Sequence, residues 1–394
     1  MSSIAVSDDL RTRPLLWLLG LGTFAIGIDA FVVAGVLGEI ARDLATPVAG
    51  TGQLVTIFAL SYAVLAPISA WGLAGWSRRS ILLTAMVVFV AANVLSTLAP
   101  SFEALALSRI LAALGAASYT PQAVAAVSEL VSPVRKGRAL SIVYGGMTVA
   151  TALGVPFGTW IGQTLGWRAT FAAVVVLGLL TLLGLAILLP SLAPPGSHRL
   201  RDRLSAITKP QVLTTLSITF LAALSEHTAY SYISVILDGT RFDDLPVLPI
   251  ALGFFGIGAV IGNVAAGFGT DRFGNRAVIV FAVTVQSLAL LALVFVQGVP
   301  LAACLALFVW GVAGWMYLVP IQHRLLDLSK SYGAFSVSLN SSVLYLGIGG
   351  GGALGGAFIS YFEPNQLGFL CFAIGVLALA NALLAFRGAK ENVE

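Results

Sequence analysis

Residues 168–190 read RATFAAVVVLGLLTLLGLAILLP, and after Arg168 no charge interrupts the run. An α-helix rises about 1.5 Å per residue, so about 20 apolar residues cross a hydrocarbon core of about 30 Å. A transmembrane β-strand would instead alternate over about 10 residues, and no such alternation is present. Cutting the chain outward from this stretch, at its charged and Pro/Gly-rich interruptions, gives eleven more segments of the same kind. The twelve lie at 14–38, 50–73, 81–99, 102–130, 139–162, 168–190, 211–237, 247–269, 277–297, 300–320, 332–361 and 367–386. The sequence therefore predicts an all-α membrane protein with twelve transmembrane helices.

Composition agrees. The 394 residues are 58% hydrophobic and 10% charged, with a mean hydropathy of +0.97. A soluble domain carries roughly 25% charged residues. A soluble enzyme, a nucleic-acid binder and a disordered scaffold are excluded on that ground. Cys304 and Cys371 both lie inside apolar runs, which rules out a disulfide framework. The apolar run after MSSIAVSDDLRTRP is longer than the core of a cleavable signal, so it reads as a permanent first span.

Orientation follows from Lys and Arg. With the N-terminus inside, the inner segments hold 17 of the 21 basic residues, the outer loops hold Arg42, Arg168 and Arg241, and Arg109 alone falls within a span. Such a split sets both termini in the cytoplasm and requires an even number of spans. The net charge of +4 is thus a record of topology and not of a nucleic-acid partner. The long polar stretch at 191–210 divides the chain into an N-terminal bundle (1–190) and a C-terminal bundle (211–394), with a cytoplasmic linker between them. The halves echo each other. TPQ at 120–122 is matched by VPIQ at 319–322, and Gly154 and Gly158 are matched 197 residues later by Gly351 and Gly355. Weak internal symmetry of this kind is the mark of duplicated six-helix repeats in transporters.

Three motifs carry a family resemblance. GFGTDRFGNR (267–276) resembles the cytoplasmic loop motif of the major facilitator superfamily, with Gly267, Asp271, Arg272, Gly274 and Arg276 in register. The matching loop of the first half, AWGLAGWSRRS (70–80), keeps Arg78 and Arg79 but places Ala74 where the family has its acid. LALSRILAALGAA (105–117) resembles the family's intramembrane arginine motif, with Arg109 as the arginine. ALGVPFGTWIGQTLGWRATF (152–171) is similar to the proline–glycine motif of the twelve-helix drug:proton antiporter branch, which includes sugar, purine and chloramphenicol exporters. GIDAFVVAGVLGEIARDL (27–44) and AYSYISVIL (229–237) fit the same branch. The resemblance implies the major facilitator fold, two pseudo-symmetric six-helix bundles, in a monomer of the bacterial inner membrane. It also implies export of a small drug-like or metabolite molecule in exchange for protons, with no cofactor. Gating would fall to Arg78, Arg79, Gly154, Pro156, Gly158, Asp271, Arg272 and Arg276.

A charge deep in a bilayer is costly and is a functional candidate by default. Three qualify: Asp29, Arg109 and Glu226. Asp29 lies roughly 13 Å and Arg109 roughly 10 Å from the outer ends of their spans, so a direct or water-bridged pair is expected. Either the pair is structural, or Asp29 takes and releases a proton as the cavity opens. Glu226 shares a helix face with Tyr230, and His227 sits one position round. This polar cluster reads either as a helix contact or as a second protonation or substrate site, because histidine titrates near neutral pH. Tyr62, Tyr119, Gln122, Tyr144, Tyr230, Trp310, Trp315, Tyr317, Asn340 and Tyr345 are candidates to line a substrate cavity. GIGGGGALGG (347–356) lacks the GK(S/T) ending of a phosphate loop and reads as close helix packing. His198 and His323 show no metal-ligand pattern, and no HExxH, GxSxG or paired catalytic carboxylate marks an enzyme. Two rivals remain: a proton symporter or facilitative importer on the same fold, and a non-transporting membrane sensor.

Overall fold

The structure, a computed structural model, describes residues 2–131, 136–192, 210–328 and 333–386. Most of the expected linker therefore lies outside the described residues, as do His198 and the basic residues of the 132–135 and 387–394 segments. Within them the twelve expected spans are all helical. They are α1 (Ser2–Gly35), α2 (Gln53–Gly72), α3 (Arg78–Leu98) and α4 (Phe102–Leu130). Next come α5 (Lys136–Val149 and Val155–Leu165, joined by a π-helical turn Ala150–Gly154) and α6 (Trp167–Leu188). In the second half are α7 (Pro210–Tyr230), α8 and α9, α10 (Pro300–Met316 and Leu318–Leu328), α11 (Gly333–Ile359) and α12 (Leu367–Ala385). Helices α8 and α9 are the limbs of one helical stretch, Val247–Ala292, broken at Gly274.

Local chemistry sets these ends. Ser77 and Ser101 precede α3 and α4, and each side chain accepts from a backbone N–H three residues on, Ser80 and Ala104. Such caps satisfy donors that a helix start leaves bare. At Gly274 the backbone adopts φ 79°, ψ 162°, a region open to glycine and closed to most side chains. The loop expected at 267–276 is therefore a single-residue break in a helical stretch. Ten stretches among the described residues are long and apolar enough to cross a membrane. Val247–Phe295 accounts for two of the expected spans, and α7 is absent from the ten because its polar cluster lowers its hydropathy.

The chain forms two compact units: Met1–Val32 with Val64–Ser197, and Val33–Ala63 with His198–Glu394. In the first, α1 is held by α4 on one side and α5 on another. Thr23 Oγ1 donates to the carbonyl of Val143 at 2.6 Å. Beside it, a methyl group on Gly146 would collide with the Gly20 carbonyl and the Thr23 hydroxyl. Further along the same seam, Gly154 faces Ile28 and Gly158 faces Val32. Bare backbone at these positions lets two helices approach closely in a medium without a hydrophobic drive between them. The π-turn ends two residues before Pro156, which has no N–H to continue a regular ladder. In the second unit, α7 packs on α11 through Gly347, Gly351 and Gly355. A core of Val212, Ile218, Ile279, Val283, Ile321 and Leu325 joins α7, α9 and α10. A short antiparallel pair, β1 (Arg241–Phe242) and β2 (Leu245–Pro246), links α7 to α8.

Gly145 and Gly146 make a paired test of the α1–α5 seam, because nothing lies within 4 Å of a methyl group built on Gly145. Gly146→Ala is expected to destabilise the protein by about 1–3 kcal/mol through overpacking. Gly145→Ala should be neutral or stabilising by up to about 1 kcal/mol, the helix-propensity gain. Thermal unfolding of both variants in detergent checks the contrast.

Candidate functional site

In the first unit, Asp29 and Arg109 meet. Arg109 Nη1 donates to Asp29 Oδ1 at 2.6 Å, and Nη2 donates to Oδ2 at 2.9 Å and to the Asp29 carbonyl at 3.0 Å. Asp29 is 0% and Arg109 1% exposed, and the guanidinium carbon lies 5.6 Å from the Phe171 ring centroid. This is the forked, two-toothed geometry that gives an arginine–carboxylate pair both strength and fixed orientation. The direct pair expected from depth is present, and it ties α1 to α4.

Tyr119 and Gln122 fall elsewhere than in an open cavity. Tyr119 is fully buried between α1 and α4 and donates to the Leu19 carbonyl at 3.3 Å. Gln122 Oε1 accepts from Arg78 Nη1 at 2.8 Å. Arg78 also forms an ion pair with Glu129 Oε1, at 2.8 Å from Nη2 and 3.0 Å from Nε. The loop itself lacks the family's acid at Ala74, and Arg78 finds its partner on another helix, where α4 supplies Glu129 from its last turn. The sequence signal was there, since Gln122 and Glu129 are seven residues apart and share a helix face. Arg79 donates to the carbonyls of Ala186 and Leu189 at the end of α6, where a cation offsets the helix dipole. Tyr144, on α5, is 55% exposed.

In the second unit Glu226 and His227 are both buried on α7. The Glu226 carboxylate lies against the bare backbone of Gly314 on α10: a methyl group there would be 3.2 Å from Oε1. The Trp310 indole N–H, one turn earlier on α10, reaches toward that carboxylate but closes no hydrogen bond. Tyr230 stands beside it, with ring centroids 5.4 Å from Phe255 and 6.0 Å from Trp310, and Phe255 lies 5.2 Å from Trp310. His227 Nδ1 is 3.1 Å from the Ala223 carbonyl. The structure thus brings Glu226, His227, Tyr230 and Trp310 together, and adds Phe255, which the sequence did not single out. Nothing in a helix of mixed aromatics distinguishes a packing phenylalanine from one beside an acid.

The other candidates are spread over the unit. Tyr317 is buried in the apolar core, and Trp315 is half-buried. Asn340 accepts from Thr219 at 2.7 Å across the α7–α11 contact. Tyr62 and Tyr345 stack face to face, 3.8 Å apart and 18° from parallel. Asp271, Arg272 and Arg276 are exposed around the Gly274 break. Asp271 lines a cavity of about 430 Å³ with Thr270, Asn275, His323 and Asp327. Among the described residues no group of three or more His, Cys, Asp or Glu is placed to hold a metal.

The two acids are related by register: Glu226 follows Asp29 by 197 residues, the offset that also relates Gly154 to Gly351 and Gly158 to Gly355. A duplicated bundle with buried acids at equivalent places is a transporter architecture. Residues 19–348 match the sequence model of the Major Facilitator Superfamily. The chain belongs to the Major Facilitator Superfamily. It is 31% identical over 383 residues to the inner membrane transport protein YdhP of Escherichia coli (strain K12), covering 97% of both chains. It is 28% identical over 378 residues to the MFS-type transporter YbcL of Bacillus subtilis (strain 168), covering 96% of this chain and 97% of that one. Among solved structures it is similar to a bacterial homolog of the human lysosomal transporter Spinster, inward-facing and unoccupied. There the TM-score is 0.75 at 19% identity, over 96% of this chain and 97% of that one. A peptide transporter POT in complex with alafosfalin gives a TM-score of 0.77 at 14% identity, over 96% and 94%. The protein is therefore a multi-pass inner-membrane transporter of a small molecule, with the all-α major facilitator fold.

The two acids should respond differently to neutralisation. Asp29→Asn leaves Arg109 buried without its counter-charge and is expected to destabilise by about 3–5 kcal/mol. Glu226→Gln strands no cation and should change stability by less than about 1 kcal/mol. Thermal unfolding followed by tryptophan fluorescence in detergent measures both.

Proposed function

We propose that this transporter is a proton-coupled efflux antiporter, and that Glu226 is its coupling acid. One observation carries the reading. Among the described residues, Glu226 is a buried carboxyl with no ion-pair partner, and its polar neighbour on α10 is the neutral Trp310 indole. Asp29, its counterpart in the first half, is fully engaged by Arg109. An acid that must gain and lose a proton once per cycle cannot be one whose charge is permanently matched. The Asp29–Arg109 pair then serves as the fixed frame of the first bundle, and His227, beside Glu226, relays or senses the proton. The similarity of residues 152–171 to the proline–glycine motif of drug exporters supports the outward direction of substrate movement.

Alternating access needs a seam that parts. In the second unit, Gln53, Thr56 and Leu60 of α2 face Gly356, Gly352 and Gly349 of α11, and Tyr62 stacks on Tyr345 at the same boundary. With the N-terminus inside, this contact occupies the outer half of α2. It is the barrier that opens for release to the outside, while Arg78, Glu129 and the Gly274 break serve the inner side.

In everted membrane vesicles energised to an acidic lumen, chloramphenicol, inosine and ethidium serve as substrate probes. Addition of a transported probe is expected to release protons, read as acridine-orange dequenching. Glu226→Gln should lower the proton-linked signal at least tenfold while substrate–substrate exchange persists in proteoliposomes. His227→Ala should shift the pH profile of transport. An importer would instead deepen the quench only when probe and protons move in the same direction, and unchanged profiles in both variants would return Glu226 to a packing role.

A further inference from the structure

We infer that the cavity at the Gly274 break binds a linear alkyl diammonium ion, held by Asp271 at one end and by Asp327 at the other.

The cavity has a volume of about 430 Å³ and lies wholly within the second unit. Its walls come from three places that the break at Gly274 brings together. Thr270 and Asp271 lie on the last turn of the α8 limb, Asn275 opens the α9 limb, and His323 and Asp327 stand one turn apart on α10. Gly274 lines the cavity with bare backbone, and nothing lies within 4 Å of a methyl group built on it. With the N-terminus inside, this end of the helices faces the cytoplasm.

The chemistry of these walls is one-sided. Thr270 is 8% exposed, and its hydroxyl has no hydrogen-bond partner among the described residues. Asn275 Oδ1 is likewise buried without one. Buried polar atoms are nearly always bonded, so two orphans in the wall of one cavity point to a guest that donates. Asp271 and Asp327 form no ion pair among the described residues. The cations nearby are turned elsewhere. The Arg272 guanidinium carbon lies 5.4 Å from the Phe273 ring centroid. Arg324 lines an adjoining cavity of about 360 Å³ and donates to Thr215 Oγ1 at 2.9 Å and to the Ala385 carbonyl at 2.8 Å.

A primary ammonium has three donors and no acceptor, which matches a carboxylate, a hydroxyl and an amide oxygen. Two carboxylates on separate helices ask for two such charges, and Leu326 offers an apolar wall to the methylene stem between them. A directly ligated metal ion fits less well, since no group of three or more His, Cys, Asp or Glu among the described residues is placed to hold one. An anion would meet two like charges. Bound in this way, the diammonium ion ties the α8–α9 break to the inner end of α10.

The test uses purified full-length protein at constant ionic strength, with 1,4-diaminobutane, n-butylamine and Mg²⁺ as probes. The diamine is expected to bind at about millimolar concentration or below, about fivefold or more tighter than the monoamine. It should slow backbone hydrogen exchange at 270–276 and 323–328. Asp271→Asn and Asp327→Asn should each weaken binding about three- to fivefold, and the double variant about tenfold or more. Asp243→Asn, in the β1–β2 turn, should leave binding unchanged. Thr270→Val removes an orphan hydroxyl, so the free protein should unfold at the same temperature or higher while affinity falls about threefold. Affinity unmoved by Thr270→Val and by the double Asp variant overturns the inference, as does equal binding of monoamine and diamine. Protection confined to other segments overturns it too. Equal protection by Mg²⁺ at the same concentration shows a general cation site and overturns the diammonium assignment.

Discussion

The ion pair between Asp29 and Arg109 is the contact on which the first bundle turns. Hydrocarbon offers no solvent to a bare charge, so each of these residues can be buried only because the other is there. The arginine's fork reaches both carboxylate oxygens and the backbone carbonyl of the same residue. That fixes the rotation of α1 as well as its distance from α4. With α1 so oriented, it also presents Gly20, Thr23, Ile28 and Val32 to α5, where Gly146, Gly154 and Gly158 leave room for them. The electrostatic contact and the glycine seam are therefore two sides of one placement.

The same constraint explains the ends of the bundles. In the first unit Arg79 donates to the last carbonyls of α6, and in the second Arg324 donates to Ala385 at the end of α12. Each is the closing helix of its half. Arginines that the sequence counts as markers of orientation are thus also caps on bare carbonyl groups, which favour a cation at a helix C-terminus. The halves differ around their buried acids. No basic residue occurs in α10 from Pro300 to Tyr317, so Glu226 meets a tryptophan and a glycine where Asp29 meets an arginine. The buried charge is thus matched in the first half and not in the second.

What the sequence makes legible follows from how each feature is encoded. Span number comes from contiguous hydropathy, and all twelve segments are helical where described. Asp29, Arg109 and Glu226 stand out because charge in an apolar run is rare. Partnerships across helices are not encoded locally. Glu129 looks like an ordinary charged residue at a helix end until α3 brings Arg78 to it. Tyr119 and Gln122 have the chemistry of cavity residues, but Gly22 and Arg78 occupy them. The break at Gly274 was legible as a turn, not as one residue of positive φ between two helical limbs. Apparent weakness of α7 as a span has the same origin as its interest: the residues that lower its hydropathy are the ones gathered around Glu226.

Helix α11 makes two close contacts of different chemistry. Its glycines form two faces, Gly347, Gly351 and Gly355 against α7, and Gly349, Gly352 and Gly356 against α2. On the α7 face, side-chain hydrogen bonding adds to close packing, as Thr219 donates to Asn340. On the α2 face the partners are Gln53, Thr56 and Leu60, held by close packing and by the tyrosine stack. Near this boundary the Tyr232 hydroxyl, carried by the α7–α8 connection, donates to the Gly352 carbonyl at 2.8 Å. Between helices in lipid, dispersion is the main attraction and there is no hydrophobic penalty for parting into another apolar surface. A face made of glycine backbone can therefore separate from α2 without stranding a charge or a buried donor. The face toward α7 cannot do so without leaving Thr219 and Asn340 unpaired. One helix thus carries two glycine contacts of different kind: the α7 face is crossed by the Thr219–Asn340 hydrogen bond, while on the α2 face Gln53, Thr56 and Leu60 lie against bare glycine backbone.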